Sequence, residues 1–206
     1  MKKDAAVKSA PQARAKARLR TRQITFCALL SAVLCVISPF SIPLPMSDVP
    51  LSLATFFLYL GAALLPCTAS LSSVLVYLML GAVGLPVFSG AMGGISRLVG
   101  PTGGFLLGYL PMVALIGLTV QFLHPEKSRL RALLVYPLAM TAGTAVLYAF
   151  GCVMYHFSTG VPFSAAVAAC TLPFLPGDAL KIIAATALLT LFPGGKLRAL
   201  LGAVQS

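Results

Sequence analysis

Charge is what this chain has least of. Of its 206 residues, 9% are charged, against about a quarter in an ordinary soluble domain, and only four are acidic. A soluble globular domain is thereby excluded: 59% of the residues are hydrophobic and the mean hydropathy is +0.97. Motifs of catalysis are missing too. No G-x-x-x-x-G-K-[ST] stretch occurs, so ATP hydrolysis by the usual phosphate-cradling loop is ruled out. Intramembrane proteolysis needs a Ser–His pair or two membrane aspartates, but one aspartate lies within an apolar segment and both histidines, His124 and His156, lie at segment ends. Too few carboxylates gather anywhere to hold a hard metal ion. Five cysteines are scattered without any C-x-x-C spacing and read as small apolar side chains. The chain reads as a non-enzyme with no cofactor.

What is present is mostly hydrocarbon. Six segments, about 24–40, 51–66, 68–85, 102–123, 132–155 and 173–192, approach the roughly 17 to 25 helical residues that cross ~30 Å of lipid. The expected fold is an all-α integral membrane protein, six transmembrane helices in one bundle. It is flanked by a basic tail (1–22) and a short C-terminal tail (196–206), with 23–195 as the membrane domain. No repeat of 20 to 50 residues and no inverted repeat is visible.

The net charge of +11 is strongly localised. Eight of fifteen Lys and Arg fall in the first 22 positions, in an Ala-rich stretch that lacks interleaved aromatics. That pattern fits anionic lipid headgroups rather than nucleic acid. A basic region, an apolar run and Cys35 together imitate a lipoprotein signal. Leu34 stands where such signals want a small residue, and the apolar run continues, so a retained helix is expected. With the N-terminus inside, the inner pieces carry thirteen Lys and Arg and the outer pieces only Arg97, which places both termini in the cytoplasm.

Two outer stretches stand out. "SIPLPMSDVP" (41–50) carries three prolines and is expected to be extended rather than helical. "GAVGLPVFSGAMGGISRLVGPTGGF" (81–105) holds eight glycines, which permit positive φ and close backbone approach.

Within the last apolar segment, "LPFLPGDALKIIAATALLTLF", sit Asp178 and Lys181. An ionisable group in a span costs at least ~2.5 kcal/mol and faces a partner or a cavity. Spaced i and i+3, the two share one helix face. Either they neutralise each other near a helix start behind Pro176 and Gly177, or they form one wall of a ligand site in the outer half of the bundle. The nearby glycine-rich loop favours the site. On the first helix Ala28 and Ala32 form a small-xxx-small pair, suited to close packing inside the bundle or against another helix.

The loop "GLPVFSGAMGGISRLVGPTGGFLLGY" (84–109), with "PFLPGDALK" (173–181), resembles the BioY family, the biotin-specific S components of energy-coupling factor transporters. The resemblance runs through essentially the whole chain after the basic tail. It implies a six-helix subunit of the bacterial cell membrane that captures biotin near its outer face. It also implies partners: a transmembrane coupling subunit and two ATP-hydrolysing subunits, with Ala28 and Ala32 facing the coupling subunit. Asp178 and Lys181 would anchor biotin. Phe88, Ser89, Gly90, Gly93 and Gly94 would form a lid and part of the pocket, and Tyr77, one helical turn before Gly81, would point inward as a further substrate-binding residue. Arg97 is either a solvated surface arginine or a cation that draws in the ligand carboxylate. Where the family pattern reads Pro-x-Thr-Leu-Gln-Thr, this chain has "PLSLAT" (50–55), with Ser52 for threonine and Ala54 for glutamine. Rival readings are an S component for a different vitamin and a non-transport scaffold whose Asp178–Lys181 pair is structural.

Overall fold

Helix dominates the computed structural model, which describes residues 21–44 and 47–191. In chain order the elements are α1 (Thr21–Ile37), β1 (Ser41–Leu44), β2 (Ser47–Ser52), α2 (Ala54–Leu64), α3 (Cys67–Ala82), α4 (Ile95–Val99), α5 (Gly103–Leu123), a 3₁₀ turn (Pro125–Lys127), α6 (Arg129–Thr159), α7 (Phe163–Thr171) and α8 (Leu175–Leu191). Apart from Thr21 and Arg22, which open α1, the basic tail lies outside the described residues, as does the C-terminal tail.

The proline-rich 41–50 stretch is extended, as its composition predicts, and folds back as an antiparallel hairpin that pairs Ser41 with Ser52 and Ile42 with Leu51. The second apolar segment is shorter than its hydropathy implies. Its first residues belong to β2, and α2 has 11 residues, about 16 Å at 1.5 Å per residue. The expected 156–172 connection is also revised: α6 continues to Thr159, and a nine-residue helix, α7, follows. Flanking prolines at 162 and 173 disguise it in the sequence as a loop. At Pro173 the chain loses an N–H donor, and α7 and α8 meet there with a bend of 46°.

Among the described residues, α5 and α6 are each long and apolar enough to cross a membrane, and α7 with α8 qualify together as a bent pair. The apolar helices α1, α2 and α3 are shorter. One core joins all the long elements, through Leu34 of α1, Leu58 of α2, Val74 of α3, Met112 of α5, Met140 of α6 and Ala185 of α8. Close approach of α5 to α6 depends on Gly104, where a β-carbon would lie 2.4 Å from the Phe150 carbonyl oxygen. Outside, Leu134, Leu138, Leu180 and Ile183 are 65–68% exposed, an apolar exterior suited to lipid rather than water.

Candidate ligand site

Asp178 and Lys181 sit in the first two turns of α8, on the face turned into the bundle, and are 6% and 8% exposed. Helical spacing brings them together: Lys181 Nζ donates to Asp178 Oδ1 at 3.0 Å. The ammonium has two more hydrogens, and both find partners on a distant part of the chain. One goes to the Ser52 carbonyl oxygen at 2.7 Å, the other to Thr55 Oγ1 at 3.0 Å. Lys181 therefore fastens α8 to the end of β2 and the first turn of α2. Ser52 has a further part there, its hydroxyl accepting from the Ala54 N–H at 3.1 Å. The second carboxylate oxygen of Asp178 accepts from the Tyr148 hydroxyl of α6 at 2.5 Å. Both ions are thus taken out of lipid with most of their hydrogen-bonding capacity met, which makes such burial tolerable.

This polar cluster faces a cavity of about 350 Å³, a size ordinary for small-molecule sites. Most of its wall is apolar or aromatic: Phe88 from the glycine-rich loop, Phe105, Leu106 and Tyr109 of α5, Leu147 of α6, and Phe174 just ahead of α8. Its charged lining is Arg97, Asp178 and Lys181, one positive charge in excess, which favours an anionic guest. Arg97 is therefore a wall residue rather than a remote surface arginine; its guanidinium contacts the Met92 sulfur.

The glycine-rich loop forms the wall as its composition predicts, though not every expected residue reaches the cavity. Phe88, Ser89 and Gly90 line it. Phe88 and Met92 exchange backbone hydrogen bonds at 2.9 and 3.4 Å, and the tight loop between them turns at Gly90, with φ +74°. Gly93 and Gly94 lie behind this wall. A β-carbon at Gly93 would meet the Leu85 carbonyl oxygen at 2.3 Å, and the Gly94 N–H donates to the Gly81 carbonyl at 2.7 Å, so these glycines dock the loop on the end of α3. Tyr77 points inward yet also stands behind the wall. Phe88 occupies the space in front of it, ring to ring at 5.6 Å and 80°, and the Tyr77 hydroxyl lies 2.6 Å from Ser38 Oγ.

Ser52, Thr55, Tyr109 and Tyr148 line the same cavity; Ser52 and Thr55 fall in the "PLSLAT" stretch already set beside the family pattern, whereas Tyr109 and Tyr148 carry no distinguishing signal in the sequence. An aromatic at helical spacing looks like core, and a backbone acceptor leaves no trace. Ala28 and Ala32 are exposed on α1, away from the core. Among the described residues no group of three or more His, Cys, Asp or Glu is placed to hold a metal ion.

Residues 9–195 match the BioY family. The chain is 34% identical over 177 residues to biotin transporter BioY2 of Lactococcus lactis subsp. cremoris, covering 86% of this chain and 91% of that one. It is 33% identical over 164 residues to biotin transporter BioY of Thermotoga maritima, covering 80% and 91%. Its fold matches the crystal structure of the S-component for biotin from an ECF-type ABC transporter with a TM-score of 0.74, at 25% identity over 84% of this chain and 90% of that one.

Proposed function

This chain belongs to the BioY family, and from that premise we propose that it is the biotin-capturing membrane subunit of an energy-coupling factor transporter, holding biotin in the cavity between β2, α5, α6 and α8. The observation that carries the reading is the cavity's composition: aromatic and aliphatic walls around a buried carboxylate, ammonium and phenol, with Arg97 in the same lining. Biotin has matching parts. Its ureido ring offers two N–H donors and a carbonyl acceptor, its thioether ring and valerate chain are apolar, and its carboxylate is an anion. Asp178 supplies acceptors, Lys181 and Arg97 supply donors, and Phe88, Ser89 and Gly90 close the wall, with Gly93 and Gly94 holding it in place.

In this reading six crossings build the subunit: α1, α2, α3, α5, α6 and the bent α7–α8 pair. The short α2 is extended by β2, which pairs along one edge with β1 and at Ser52 offers its carbonyl oxygen to Lys181. Thirteen of the fifteen cations fall in the N-terminal tail, the 124–131 turn and the C-terminal piece, while Arg97 lines the cavity; this asymmetry supports cytoplasmic termini and an outward-facing site. The subunit itself binds; ATP hydrolysis resides in two partner subunits, reached through a transmembrane coupling subunit that packs on the exposed Ala28 and Ala32 of α1. The setting is a bacterial cell membrane.

Equilibrium binding of biotin to the purified chain in detergent tests this, with thiamin and riboflavin alongside. Tight binding of biotin alone, weakened by Asp178→Asn, is the expected result. A folded protein that prefers another vitamin, or binds none, overturns the assignment.

A further inference from the structure

Tyr77 forms no part of the cavity lining, yet it is completely buried and tied at both ends. Its hydroxyl lies 2.6 Å from Ser38 Oγ, just beyond the last turn of α1. Its ring meets Phe88 edge to face, and Phe88 in turn covers Gly81, where a β-carbon would come within 2.0 Å of the ring. A second tie runs beside the first: the Gly90 N–H donates to the Pro39 carbonyl oxygen at 3.3 Å. The wall made by Phe88, Ser89 and Gly90 is thus fastened at two points to the residues that end α1. Ser38 and Tyr77 are 1% and 0% exposed, so each hydroxyl would be orphaned without the other, an expensive state in an apolar interior.

We propose that Tyr77 is a positioning residue: its ring sets Phe88 against the cavity, and its hydroxyl ties that wall to α1. A shift of α1 then moves the wall, and filling the cavity restrains α1, because the elements between them are packed solids with no slack. The role rests on the cavity being the biotin site, and it differs from ligand contact because Tyr77 acts through Phe88.

The test uses the full chain in detergent as wild type, Tyr77→Phe, Ser38→Ala, the double variant, and Ser38→Thr, which keeps the hydroxyl. Two readouts are taken: biotin affinity, and hydrogen exchange of the loop amides at Gly90 and Gly94 without ligand. Each single variant is expected to weaken biotin binding roughly two- to tenfold, the worth of one buried hydrogen bond, and to speed exchange at the loop. The double variant should lose no more than the larger single loss, and Ser38→Thr should behave as wild type. A lower melting temperature with unchanged affinity and loop exchange would make the bond merely structural. Losses that multiply in the double variant would break the proposed link between Ser38 and Tyr77. If wild type does not bind biotin, the function assigned to the cavity falls, while loop exchange still decides whether Tyr77 holds the wall.

Discussion

Replacing Lys181 with methionine removes a charge and three hydrogen bonds while keeping most of the side-chain volume. Asp178 is left 6% exposed with one hydrogen bond, from Tyr148. The Ser52 carbonyl loses its 2.7 Å bond from the ammonium and keeps the longer one from the Thr55 hydroxyl, at 3.5 Å. Breaking a buried ion pair from one side costs about 3 to 5 kcal/mol. The surviving charge-assisted bond from Tyr148 places the expectation at the lower end, about 3 kcal/mol. Adding Asp178→Asn removes the stranded charge. What remains is the loss of the ties to Ser52 and Thr55, about 1 to 2 kcal/mol, so the double variant should be more stable than Lys181→Met alone. Binding should not follow. Neither variant keeps the Asp178–Lys181 pair in the cavity wall, and both should lose biotin affinity by roughly 5- to 100-fold or more. Denaturant or thermal unfolding in detergent, beside labelled-biotin binding, measures the two quantities on the same samples. A double variant that recovers affinity together with stability would show the pair to be structural. A double variant no more stable than Lys181→Met would show that the stranded carboxylate is not what destabilises the single variant.

Gly81→Ala places a methyl group 2.0 Å from the Phe88 ring. The helix gains up to ~1 kcal/mol from alanine but must displace a packed ring at about 1 to 3 kcal/mol, so a net loss near 1 kcal/mol with clearly weaker biotin binding is expected, read by melting temperature and equilibrium binding. Ala28→Leu with Ala32→Leu changes only exposed positions on α1. Biotin affinity of the isolated chain and its stability should stay within about 0.5 kcal/mol of wild type, while co-purification with the coupling subunit and biotin uptake should collapse.

The parts of the site that are legible in the sequence are those that break a rule of their surroundings. Asp178 and Lys181 violate the apolarity of their segment, and a charge in hydrocarbon needs a reason. The run of glycines from 81 to 104 violates helix propensity just where the chain leaves the bundle. Tyr148, Tyr109 and Phe105 violate nothing, since an aromatic on a membrane helix looks the same whether it packs in the core or walls a cavity. Helix α7 was hidden by the opposite effect: its bracketing prolines look like a loop, and its nine residues are too few to declare a period. Tyr77 shows a finer limit. Helical spacing from Gly81 correctly turns it inward, but facing inward does not fix depth, and Phe88 comes from another part of the chain to occupy the space between it and the cavity.

The departures at Ser52 and Ala54 show how much of such a site rests on backbone. The contact that Lys181 makes at residue 52 is to a carbonyl oxygen, which any residue provides, so exchanging threonine for serine there leaves this acceptor intact. Ala54 is fully buried and offers its N–H to the Ser52 hydroxyl, a local side-chain-to-backbone bond just ahead of α2. An amide side chain at 54 would instead bring its own donor and acceptor to a place where the structure has a methyl group, and both would need partners. The tie between α8 and the β2–α2 junction therefore does not depend on a glutamine, because Lys181 reaches the junction through Ser52 and Thr55. Thr55→Val removes one of those two contacts while preserving shape. It should leave the ammonium an unmet hydrogen and loosen the junction by about 1 kcal/mol, with hydrogen exchange at the first amides of α2 as the readout. Unchanged exchange there would mean that the Ser52 carbonyl alone holds the junction.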